Sequence, residues 1–315
     1  MASKLQFLMY FIISVFSTFL AVACTSDYVV PFPDSEAPSI DFEGSALTRG
    51  IVNTADDMSA FDVWGWYSPI SGTGTSQQVF DATLVSKNGT TWTYDNIQRW
   101  QQGNSYQFYA IYPSFDAECG YESVFCDQNG SFTINDFDCS KTGDEAVDLM
   151  TAVQSVECGT DGYPGKVSMP FQHELAKVDI VGQCEGSDAY ITQIQLTSII
   201  SAGDYVMSEW KLDKTKIAAY TKDNFSLPAV PTNIFGSLLL IPQSVEDIQL
   251  SITYEFPGIV NSSQTQILSL PATPDKWERG KHYQYSFTLK GNYIIFNSPQ
   301  VNEWKEASGG IIIVA

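Results

Sequence analysis

Along this chain apolar and polar residues alternate with a period of two, most clearly at Ile248-Gln-Leu-Ser-Ile-Thr-Tyr254 and Tyr283-Gln-Tyr-Ser-Phe-Thr-Leu289. That period sends successive side chains to opposite faces, so each run predicts a half-buried strand. Further strands are predicted at Phe61 to Tyr67, Tyr106 to Tyr112, Lys177 to Val181, Tyr190 to Leu196, Gly236 to Ile241 and Tyr293 to Phe296, separated by Gly, Pro, Asn and Ser clusters. No amphipathic repeat at helical spacing outlasts two turns, and the one helix-like stretch is Glu145 to Ser155. Many short strands without long helices predict an all-β fold of antiparallel sandwiches.

A turn-rich loop, Gly159-Thr-Asp-Gly-Tyr-Pro-Gly165, divides the chain near its middle. It predicts an N-terminal sandwich over residues 50–166 and a C-terminal one over 167–315. Upstream, residues 25–49 are acidic and have little to bury except Ile40-Asp-Phe42, so they read as a leader or a single strand.

The two ends differ from the middle. Lys4 precedes a mostly apolar stretch from Leu5 to Ala23, and a small residue stands before Cys24, which reads as a secretory signal over residues 1–24 with Cys24 as the lipid-attachment cysteine. The aliphatic residue expected three places before the cysteine lies one place further back, at Leu20, with Ala21 in its position. The other reading of this stretch is a membrane anchor that is not removed. At the far end, Gly309-Gly310-Ile311-Ile312-Ile313-Val314-Ala315 is uncharged, apolar and β-branched. Left unpaired, such a segment is an aggregation hazard. It predicts a strand that pairs within its own domain or is donated to another subunit.

Charge narrows the partners. Sixteen Lys and Arg against 36 Asp and Glu give a net charge of −20, which opposes nucleic acid and anionic lipid. Five cysteines lie beyond Cys24, four of them (Cys119, Cys126, Cys139, Cys158) between Glu118 and Gly159, with Cys184 further on. In an oxidising compartment they suggest an insertion stapled by one or two disulfides, with at least one thiol left over. Their spacing matches no zinc pattern, so no metal site is expected.

Catalytic signatures do not emerge. His173 and His282 each sit in strand-like runs without a flanking nucleophile, and no nucleophile elbow, zinc-binding His-Glu-x-x-His or phosphate loop occurs. Asp136-Phe-Asp-Cys-Ser-Lys-Thr-Gly143 resembles a calcium loop but lacks the distal glutamate, and it reads as a solvated loop. No enzyme and no cofactor are expected. Trp64, Trp66 and Trp92 could stack on sugars, although packing within aromatic strands is the commoner use.

Seven segments, in order, carry a resemblance. They are Val63-Trp-Gly-Trp-Tyr67; Trp100-Gln-Gln-Gly-Asn-Ser-Tyr-Gln-Phe-Tyr-Ala-Ile-Tyr-Pro113; Asp148-Leu-Met-Thr-Ala152; Phe171-Gln-His-Glu-Leu-Ala-Lys-Val178; Trp277-Glu-Arg-Gly-Lys-His-Tyr-Gln-Tyr285; the strand through Leu289; and Val301-Asn-Glu-Trp304. Together with the lipobox they resemble the fimbrillin family, the pilins of type V fimbriae. The resemblance implies two stacked transthyretin-like sandwiches, export as a lipoprotein to the outer membrane of a Gram-negative bacterium, and removal of the leader by an arginine-specific surface protease. Ala46-Leu-Thr-Arg-Gly50 would then place the cut between Arg49 and Gly50. Losing the leader would remove a first strand around Ser39 to Phe42. The groove so opened would accept Ile311, Ile312, Ile313, Val314 and Ala315 of the next subunit in a head-to-tail polymer that supports cell adhesion. A tip or accessory subunit, or a non-polymerising surface lipoprotein binding glycans or host proteins, is the alternative, and the ligand on a host or bacterial surface is open.

Overall fold

A computed structural model describes residues 37–46, 58–115, 118–186, 189–260 and 262–304. The chain divides into two compact units, Met1–Ala37 and Pro38–Ala315, and every strand discussed below belongs to the second. Helix is confined, among the described residues, to one 3-10 turn at Gly143–Glu145. The fold is all-β, as the alternation predicts.

Seven strands form the first sheet, in the order β1 (Phe42–Ala46), β9 (Val167–His173), β8 (Met150–Cys158), β5 (Asn104–Tyr112), β2 (Ala60–Pro69), β3 (Gln77–Asn88) and β4 (Thr91–Thr93). All neighbours in it are antiparallel except β1 and β9, which run parallel. A four-stranded sheet follows the order β13 (Glu209–Leu212), β12 (Ala202–Val206), β7 (Phe132–Asp138) and β6 (Ser123–Cys126). Another runs β14 (Ile217–Leu227), β11 (Ala189–Ile200), β17 (Gln249–Glu255) and β18 (Gln264–Ser269). The last runs β15 (Thr232–Asn233), β10 (Ala176–Glu185), β19 (Lys281–Lys290) and β20 (Tyr293–Glu303), with β16 (Leu238–Leu240) also on β10. There β10 and β19 are parallel.

The first sheet is buried on both faces at its centre. Phe108 and Ala110 of β5 enter one core with Phe61, Phe80, Trp100, Met169 and Phe171, while Tyr109 and Ile111 enter a second, larger core shared with the other three sheets. This two-sided burial explains why β5 reads as a nearly continuous apolar run instead of alternating.

Three sequence expectations are corrected. Glu145 to Ser155 is no helix: its C-terminal part is β8, where β-branched Thr151, Val153 and Val156 favour extended backbone. Cys119, Cys126, Cys139 and Cys158 are free thiols, and they and Cys184 are buried, each occupying core volume as a small apolar side chain, so no disulfide staples the insertion. Asp136 and Asp138 lie in β7, not in a loop. The expected boundary at residue 166 falls between β8 and β9, two neighbours in the first sheet; the chain leaves that sheet after His173.

Candidate strand-exchange groove

The short segment 38–46 is held on both edges, and this is what makes it a candidate site. Along one edge, β1 pairs with β9 in the register Phe42 opposite Val167 through Ala46 opposite Phe171, and the Val167 N–H donates to the Asp41 carbonyl at 2.8 Å. Along the other, Ser39 forms an antiparallel bridge with Arg99. The Ile40 N–H donates to the Gln98 carbonyl at 2.9 Å, and the Trp100 N–H donates to the Pro38 carbonyl at 3.2 Å. Tyr94 adds a side-chain bond, its hydroxyl donating to the Ile40 carbonyl at 2.8 Å. Burial pushes this phenol up to about 12, so it keeps its donor proton throughout the neutral range.

Alternation decides what the segment buries. Ile40 and Phe42 point inward and are fully or almost fully enclosed, while Asp41 and Glu43 stay exposed. Phe42 meets four rings at 5.3 to 6.3 Å between centroids: Phe61, Phe80, Tyr94 and Phe108. Edge-to-face contacts of this kind stabilise beyond area burial alone. The next inward position is Gly44, and there the first sheet comes round until Trp92 of β4 faces β1. A Cβ on Gly44 would lie 3.1 Å from the Trp92 ring. Segment 38–46 therefore fills a seam between β9 and residues 98–100, over an aromatic floor.

Taking this segment away would uncover the faces of Phe61, Phe80, Tyr94 and Phe108, and would leave the Val167 and Trp100 N–H groups and the Gln98 carbonyl without these partners. Burying Ile40 and Phe42 is worth about 3 to 6 kcal/mol together. The arrangement can bind an extended backbone with alternate apolar side chains.

The residues singled out in the sequence fall around this seam. β1 ends three residues before Arg49, yet Cys24, Arg49, Gly50 and the run Ile311, Ile312, Ile313, Val314 and Ala315 lie outside the described residues. The chain just before that run is firmly seated. Trp304 is buried and stacks on His173, with 3.4 Å between centroids and 4° between planes, and its N–H donates to the Gly280 carbonyl at 2.8 Å. The Nδ1 of His173 lies 2.7 Å from the Asp148 carboxylate, and both residues are buried. His282 likewise pairs with Asp179 at 2.8 Å. Trp64 is buried against Phe132, and Trp66 and Trp92 are half-buried and packed on the cores, so these three do not form an exposed sugar-stacking platform. No cluster of metal-ligating side chains occurs among the described residues.

Sequence reasoning found Ile40 and Phe42 through their alternation, but missed Trp92 and Tyr94 as parts of the seam. The Thr91-Trp-Thr93 alternation was a usable signal for β4, although nothing local announces its contact with Gly44.

Comparison with known proteins agrees with this architecture. A fimbrial protein from Bacteroides vulgatus superposes with a TM-score of 0.57 at 16% identity, covering 84% of this chain and 99% of that one. A candidate cell adhesion protein from Bacteroides ovatus gives a TM-score of 0.59 at 14% identity, covering 86% of this chain and 99% of that one. At these identities the likeness establishes the fold. No curated protein sequence matches the chain. The profile of the fimbrillin-like family matches residues 48–304, a span that leaves out both β1 and the apolar run at 309–315. The chain belongs to the fimbrillin-like family.

Proposed function

We propose that the chain is a structural, non-enzymatic subunit of a surface fimbria, assembled by exchange of strands. It leaves the cell as a lipoprotein modified at Cys24 and anchored in the outer membrane. An arginine-specific protease then cuts between Arg49 and Gly50, and the leader carrying β1 departs. The groove is refilled by the Ile311–Ala315 segment of the next subunit, so the contact repeats head to tail and builds a filament that supports adhesion.

One observation carries this reading: the segment upstream of Arg49 is hydrogen-bonded through residues 38–40 to residues 98–100 and, from Asp41 on, to β9, with Ile40 and Phe42 sunk in an aromatic core. A leader needed only for export would have no reason to complete the fold. Family membership and the fimbrial and adhesion descriptions of the two structural relatives support the same reading.

Replacing Arg49 by Ala tests the proposal. The variant precursor should fold, resist the arginine-specific protease at this bond and remain monomeric. Polymer formed by uncut Arg49→Ala would remove leader release from the mechanism.

A further inference from the structure

The groove is not uniform along its length. The Ile40 and Phe42 places accept large side chains, the second an entire phenyl ring among four others. Two residues on, the Gly44 place is closed by Trp92: a Cβ there would stand 3.1 Å from Cζ2 and 3.5 Å from Cε2 of the indole. Alanine would need the ring to yield by a few tenths of an ångström, and any side chain with a γ carbon would run into it. The ring is itself braced. Phe61 packs on it at 5.1 Å, the Lys87 ammonium lies 5.6 Å from its centroid, and Trp92 pairs with Lys87 in the β3–β4 hairpin.

We propose that Trp92 is a size filter for the strand that refills the groove, admitting only glycine or alanine at the third inward place, and that the occupant meeting this rule is segment 309–315 of a second copy of the chain. This rests on the strand-exchange reading above and adds to it a residue that selects the partner. In an extended strand one face of that segment carries Ile311, Ile313 and Ala315, and the other carries Gly310, Ile312 and Val314. Read in the direction of β1, the first set is large, large, small. Read against it, the second set is Val314, Ile312, Gly310, again large, large, small. A continuous apolar strand with a bulky residue at the third place fails in either direction.

The filter is tested first within the uncleaved precursor, where polymerisation plays no part. Gly44→Leu should lower the thermal midpoint, and adding Trp92→Ala should recover most of the loss. A Gly44→Leu precursor as stable as the native chain would overturn the filter. The second test uses protease-activated full chains. Ala315→Leu or Gly310→Leu should slow ladder growth by about tenfold, and Trp92→Ala should relieve the block. Which of the two blocks gives the direction of the incoming strand. If neither does, or if the block persists in a Trp92→Ala chain that polymerises normally with its native tail, the filter is wrong. Truncation after Gly309 separates the two levels: a truncated chain that still polymerises refutes strand exchange itself, whatever Trp92 does.

Discussion

Phe42 of β1 meets Phe108 of β5 edge to face, with 5.6 Å between ring centroids and 89° between planes. Through this contact a strand at the sheet's edge reaches its most enclosed aromatic core. Phe42→Ala should therefore cost the precursor about 3 to 5 kcal/mol, while Asp41→Ala, on the exposed face of the same segment, should stay within about 0.5 kcal/mol. Urea denaturation of both variants checks this. Equal losses would mean that β1 is held by its backbone and not by its buried ring.

Trp304 is the last residue described before the apolar run, and it lies flat on the His173 ring. Trp304→Ala should destabilise the fold by about 3 kcal/mol, because a large buried ring is lost from above a buried polar pair. Trp304→Phe should recover part of it by restoring a ring. Thermal unfolding of the two variants measures the difference.

Two buried carboxylates should respond to acid with opposite signs. Burial tends to raise Asp179, but the hydrogen bond and charge of His282, with Ser237 and Lys177, outweigh it and hold the carboxyl below its ordinary value of 3.8. Its stabilisation is therefore present above about pH 3.8 and is lost as the pH falls through the depressed value. Burial dominates at Asp148 and raises it despite His173 and Lys177, so its ionised form carries a penalty that disappears as pH falls through the raised value. Asp179→Asn should be less stable than the native chain at about pH 6, with the gap narrowing toward pH 3. Asp148→Asn should compare more favourably with the native chain at about pH 6 than at pH 3. Denaturant titrations at both pH values decide it, and gaps that move in the same direction would contradict the assignment.

The apolar run should matter to assembly and not to folding. Ile313→Asp, or truncation after Gly309, should leave a folded monomer that cannot extend a polymer, since a charge cannot be buried in the groove without a partner. Circular dichroism with a polymerisation assay checks both halves of the statement.

Much of the fold was legible because one buried face imposes a period of two. β17 and β19 follow directly from Ile248 to Tyr254 and Tyr283 to Leu289, whereas the strand expected around Ser39 to Phe42 runs instead from Phe42 to Ala46, with Ile40 buried just before it. β8 was harder. It follows a polar segment with a 3-10 turn, and Asp148-Leu-Met-Thr-Ala152 carries its two-sided burial as an apolar cluster without alternation. Strand pairing was not legible. Phe42 finds Val167 across most of the first sheet's sequence, and nothing near either residue encodes that register. The same holds for Trp92 against Gly44, a contact made only by the way the sheet comes round. The cysteine spacing suggested disulfides because covalent pairing and burial select the same residue.

On the proposed mechanism, release of β1 makes this chain polymerise. Its most direct test is to treat a soluble precursor of residues 25–315 with an arginine-specific protease and run it unboiled on a denaturing gel. A polymerising subunit gives a ladder of regular steps that collapses on boiling, with a new N-terminus at Gly50. A clean cut at Arg49 that yields only monomer, or no cut there at all, would contradict the mechanism.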